Sequence, residues 1–102
     1  MPKLYELAHC RAGDKGNTST LSLIAYRDDD YSLLVQRVTA DAVAKHLHDI
    51  VRGEIRRYEL PQLGALQFVC EEALAGGVTT SLALDAHGKS LSSALLEMQI
   101  ER

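Results

Sequence analysis

Between two apolar segments the chain gathers His9, Cys10, Arg11, Asp14 and Lys15 around Gly13 and Gly16, with Asn17 next in line. A plain turn needs none of those charges, and polar groups gathered on a connection are more often about binding than packing. Three kinds of chemistry fit these residue types. The first is anion binding. Arg11 offers a planar fork of donors, Lys15 a mobile positive charge, and Gly13 and Gly16 expose backbone N–H groups, a set suited to a carboxylate or phosphate. The phosphates of an acyl-CoA thioester fall within that class. The second is proton or nucleophile chemistry, with His9 exchanging protons near neutral pH, Cys10 attacking as a thiolate and Asp14 orienting or accepting a proton. Adjacent strand residues face opposite ways, so His9 is badly placed to activate Cys10, and a site completed by another subunit fits better than one complete in this chain. The third is structural: Asp14 and Asn17 bond turn backbone, Arg11 pairs with Asp14, and Lys15 is solvated. That reading explains each residue singly but not their concentration.

Nucleotide hydrolysis gets little support. A P-loop places lysine after its last glycine and opens a helix, whereas Lys15 lies between the two glycines and a strand pattern follows. Elsewhere, Asp28-Asp29-Asp30 reads as a solvated turn, because a calcium loop needs further oxygen ligands at fixed spacings. His46 and His48 are two apart, point in different directions on a helix, and read as solvated helix residues rather than a metal pair. Cys10 and Cys70 stand without partners at ligand spacing, so no metal site is expected. Arg57 and Glu59 share a strand face, where charge pairing is the ordinary explanation.

The elements that must position this cluster follow from hydrophobic period. Residues 3–11 read as a strand, with Ala8 and Cys10 toward the core and His9 and Arg11 projecting together from the other face. Residues 18–26 read as a second, with Leu21, Leu23 and Ala25 opposite Thr18, Thr20 and Ser22. A loop of seven or so residues joins them. Asp30 caps a short helix over 31–37, and Thr39 begins a longer one whose stripe is Val43, Leu47, Ile50 and Val51, ended by Gly53. A third strand covers 54–60 and stops at Pro61. A helix is expected over 63–75, with Leu66, Val69, Cys70 and Ala73 inside. A fourth strand follows over 78–84, then a turn at Asp85–Gly88 and a final helix over 91–98 capped by Ser90. Four strands with helices on one side make an α+β two-layer sandwich, leaving a mixed face of His9, Arg11, Thr20 and Ser22 available to another subunit.

At 102 residues the chain suits one domain covering 1–102, long enough to bury a core without metal or disulfides. A net charge of −3 speaks against a general nucleic-acid binder, which carries a strongly basic face. No signal-peptide pattern and no membrane-length apolar run is present, so a reduced, cytoplasmic setting is expected.

His9-x-Arg11-x-Gly13-Asp14-Lys15-Gly16-Asn17 resembles the opening motif of the AtuA-like small domain, the C-terminal domain of acyclic terpene utilisation proteins. Val51-Arg52-Gly53, Arg57-Tyr58-Glu59-Leu60-Pro61, Ala65-Leu66-Gln67-Phe68-Val69, Leu74–Thr79 and Leu84–Lys89 fit the same ordered pattern, so the resemblance runs the length of the chain. It implies a ferredoxin-like fold, here as a separate small chain, and a large partner chain in place of the domain that usually precedes it. It also implies an association with branched acyclic terpenoid breakdown through acyl-CoA intermediates, and it names no cofactor. The expectation is an accessory subunit rather than an independent enzyme, assembled with itself or with that partner. Arg11, Gly13, Asp14, Lys15, Gly16 and Asn17 would bind an acyl-CoA or carboxylate metabolite, with His9 the candidate for catalytic proton transfer. The alternative is a non-catalytic interaction module whose loop docks on the partner.

Overall fold

Leu21 and Leu23 alternate with Thr20 and Ser22, and that period of two builds a central strand with one apolar and one polar face. The computed structural model describes residues 2–15, 18–72 and 91–101. In it β1 (Ala8–Lys15) pairs antiparallel with β2 (Thr18–Ala25). Two helices follow, α1 (Asp28–Arg37) and α2 (Ala40–His46), and then β3 (Ile55–Leu60) and β4 (Ala65–Cys70). The last helix described is α3 (Leu91–Leu96). The four-stranded sheet has the order β1-β2-β4-β3, with every neighbouring pair antiparallel. Because β4 is antiparallel to both β2 and β3, those two run parallel with β4 between them. The α1–α2 connection is therefore the crossover of a split β-α-β unit, the hallmark of ferredoxin-like topology.

One face of the sheet carries the core. Leu21, Leu23, Leu66, Phe68 and Cys70 are buried there against Leu34 and Val38 of α1 and its end, Val43 and Leu47 of α2 and its end, and Leu91 and Leu95 of α3. The helices lie on this side, with α1 against β2, α2 against β3 and α3 against β1. The expected two-layer α+β sandwich is the architecture found.

Several elements differ from expectation, each for a local reason. The first strand does not begin at residue 3. Residues Leu4–Glu6 form a 3-10 turn in which the Glu6 carboxylate accepts from the Lys3 backbone N–H at 2.9 Å. At its other end β1 extends past Gly13, so the ladder runs to Lys15↔Thr18 and replaces most of the wide loop. The aspartate run is not a turn before α1 but its first turn, where negative side chains meet the positive helix end. Thr39 caps α2 as expected, its Oγ1 accepting from Ala42 N–H at 3.1 Å. The helix then ends at His46, and Leu47 and Val51 stay buried through the turns that follow. Gly53 does not terminate it. A Cβ there would lie 2.7 Å from the Glu71 carbonyl oxygen, to which Gly53 N–H donates at 3.1 Å, so glycine permits this close approach.

The largest correction concerns residues 63–75. Residues 65–70 form the inner strand β4, not a helix, and β4 is the fourth strand of the sheet. Pro61 does end β3, opening a 3-10 turn over Pro61–Leu63. Gly64, at φ 61°, then reverses the chain into β4. The expected strand over 78–84, the turn at 85–88 and the Ser90 cap lie outside the described residues. The final helix is shorter than 91–98; Leu91 and Leu95 within it and Met98 just beyond it are buried.

Candidate functional site on the open sheet face

The antiparallel registers place the side chains facing away from the helices in rows across the sheet. The first row reads His9, Ile24, Ala65 and Leu60; the second Arg11, Ser22, Gln67 and Tyr58; the third Gly13, Thr20, Val69 and Arg56. Among the described residues, no secondary-structure element packs over this face. His9 and Arg11 project from it together, as the strand alternation predicts.

The second row is chemically the most open. Among the described residues, the side chains of Arg11, Ser22, Gln67 and Tyr58 form no hydrogen bond or ion pair. Arg11 is exposed, and Tyr58 is 50% exposed. Strands lie about 4.8 Å apart, so this row sets a guanidinium, a hydroxyl, a carboxamide and a phenol across a strip roughly 15 Å long. Beside it, the His9 ring stacks on Tyr26, with centroids 5.4 Å apart and planes inclined by 24°. Tyr26 is itself 61% exposed.

The far end of the face is occupied by its own charges. Glu71 accepts from Thr18 Oγ1 at 2.8 Å through Oε1 and from Arg56 at 2.8 Å through Oε2, while Arg56 also lies 3.7 Å from Glu54. That cluster is satisfied internally and stitches β2, β3 and the end of β4. Arg11 has no such partner.

The cluster predicted from sequence is thus partly gathered and partly separated. His9, Arg11 and Gly13 share the open face. Asp14 pairs with Ser19 in the hairpin ladder. Lys15 pairs with Thr18 at the end of that ladder. Gly16 and Asn17 lie outside the described residues. Gly13 has ordinary strand backbone rather than a left-handed turn conformation, and a Cβ there would lie 3.1 Å from Thr20 Oγ1. Its carbonyl accepts from Ser19 Oγ and Thr20 Oγ1, each at 3.3 Å.

Cys10 is separated from His9, as the alternation requires, and packs against the core. Burial pushes its thiol up to about 12, helped by the Cys70 thiolate charge, and burial with the charge on Glu71 raises Cys70 to about 11. Both thiols stay protonated near neutral pH, which removes Cys10 as a ready nucleophile. His46 is not merely solvated: its Nε2 lies 2.8 Å from the Ala94 carbonyl and ties α2 to α3. Arg57 does more than pair with Glu59. It donates through one nitrogen to the Val35 and Val38 carbonyls at 2.8 and 3.1 Å, closing the end of α1. Such a cation satisfies carbonyls that a helix C-terminus leaves open. Among the described residues, no three His, Cys, Asp or Glu side chains converge to hold a metal ion.

Sequence reasoning missed Gln67, Tyr58 and Tyr26 as members of this face. Gln67 was hidden by the helical reading of its segment. The available signal was the alternation of Leu66, Phe68 and Cys70 with Gln67 and Val69.

Sequence comparison bears on this arrangement. The family model of the AtuA ferredoxin-like domain matches residues 2–101. The chain belongs to this family. No curated protein matches it, and no solved structure does. As an AtuA ferredoxin-like domain it has the antiparallel four-stranded sheet with its helices packed on one side. No helix among its described residues is long and apolar enough to cross a membrane.

Proposed function

We propose that this AtuA ferredoxin-like domain is an accessory unit that contributes an anion-binding surface to an assembly, either with further copies of itself or with a large partner chain in the cytoplasm. The observation that carries the reading is Arg11. An exposed guanidinium without an internal partner stands at the head of a row of equally unpartnered donors, Ser22, Gln67 and Tyr58. A guanidinium recognises carboxylates and phosphates through two parallel hydrogen bonds, and the hydroxyl and amide extend that recognition along the sheet. An acyl-CoA or carboxylate metabolite has this chemistry, in keeping with the terpenoid-breakdown association of the family. Lys15, four residues further along β1, is the second positive charge of the proposed set. Asp14, Gly16 and Asn17 complete the proposed binding set. His9 is the group on this face able to exchange a proton near neutral pH.

A second reading is a non-catalytic module whose open face docks on a protein partner. It draws on the exposed rings of Tyr26 and Tyr58, because tyrosine is enriched where protein surfaces meet.

A thermal-shift series separates the two. Acyl-CoA thioesters, free CoA, phosphate and short carboxylates raise the melting temperature of the wild-type chain if the face binds anions. Arg11→Ala and Lys15→Ala then abolish the shift and leave the ligand-free melting temperature nearly unchanged. A docking module instead shows no shift with any of these, and Tyr58→Ala breaks co-purification with the large chain.

A further inference from the structure

We infer that the anion recognised on this face is a nucleotide, held by its base on the Tyr26–His9 pair and by its phosphate on Arg11. The inference rests on the open face being an anion site and adds the class of ligand. A charge alone would need only Arg11. The structure sets next to it an aromatic pair already stacked on itself at 5.4 Å, with Tyr26 61% exposed, so that a ring surface is presented to solvent in an ordered state. Burial does not explain that pair, since neither ring belongs to the core. Nucleobases stack on such rings whatever their sequence identity, because every base has a π-face.

The spacing fits. His9 and Arg11 are alternate residues of β1, so their Cα atoms are roughly 7 Å apart along one face. That is comparable to the ribose arm between a base and its 5′-phosphate. Ser22 and Gln67 continue the row from Arg11 and face where sugar and phosphate oxygens would lie, with donors that bond nothing within the chain. An open sheet face suits a ligand that lies along it, and the net charge of −3 favours a single nucleotide over a polyanionic strand. The adenosine phosphate of CoA and a free nucleotide share this chemistry.

Calorimetric titration of the full chain with AMP, CoA, adenosine and inorganic phosphate tests the inference. AMP is expected to bind at least tenfold more tightly than phosphate or adenosine. Tyr26→Leu should reduce AMP to the level of phosphate, while Tyr26→Phe retains the difference. CoA binding more tightly than AMP assigns the site to the coenzyme, and equal binding assigns it to the nucleotide head alone; both support the inference. AMP binding no better than phosphate, with both lost in Arg11→Ala, overturns it and leaves the anion site standing. Silence from all four probes removes both.

Discussion

Arg57 shows how much one side chain can carry beyond what its neighbours in sequence suggest. It is 18% exposed, bonds two carbonyls at the end of α1 and pairs with Glu59 at 3.0 Å. Truncation leaves those carbonyls without their cationic donor, so Arg57→Ala should cost about 2–3 kcal/mol in urea unfolding, with Arg57→Lys recovering part of it. Its pairing with Glu59 was legible, because alternate residues of a strand share a face. Its bond to α1 was not, since nothing in the sequence marks which helix end will meet β3. The two thiols give a pH prediction. Cys10 and Cys70 remain protonated in the fold up to about 12 and about 11, against an ordinary thiol at 9.0. A raised thiol pKa favours the folded state below the unfolded value, and the contribution fades as pH rises through the folded one. Stability should therefore hold below pH 9 and fall from there toward pH 12, with a shallower fall in Cys10→Ala. Alkaline unfolding curves of the two proteins check this. Alkylation of both thiols in the native protein near pH 8 should be far slower than after denaturation.

The element hardest to read was β4, because two periods fit the same residues. Leu66, Val69, Cys70 and Ala73 make a helical stripe, while Leu66, Phe68 and Cys70 make a strand face. Long-range pairing decides between them: β4 is flanked by β2 and β3 on its two edges, and that ladder cannot be seen in a local window. The candidate site was affected in the same way. Strand alternation put His9 and Arg11 on one face, but the extension of the hairpin to Lys15↔Thr18 turned an expected loop into the edge of a sheet. Half-buried Gln67 and exposed Tyr58 then joined the site from strands whose neighbours sequence had not assigned. Glycine positions sort by what they touch. At Gly53 the obstacle to a side chain is backbone, 2.7 Å away at Glu71, so Gly53→Ala should destabilise by about 1–3 kcal/mol. At Gly13 it is the end of the Thr20 side chain at 3.1 Å, and Gly13→Ala should cost well under that. Urea midpoints of the two variants, measured side by side, test the contrast.

At the scale of the whole molecule, the two layers were legible because each segment has one apolar side, and buried stripes must meet. The closure of the two ends on each other was not, since no local pattern links residues so far apart. Leu4 N–H donates to the Met98 carbonyl at 2.7 Å and Ile100 N–H to the Pro2 carbonyl at 2.8 Å, with a bridge between Lys3 and Gln99. Leu4 and Ile100 are both buried in the core they close. Ile100→Ala should therefore lower stability by about 3 kcal/mol despite its place near the end of the chain, measurable as a clear drop in melting temperature. The same pairing governs how the domain can be attached to anything else. Entry and exit stand side by side in the helix layer next to α3, so a polypeptide joined at either end holds the domain at a single point. A fused neighbour would hold the domain from behind, with Arg11, Gln67 and Tyr58 turned outward on the opposite side.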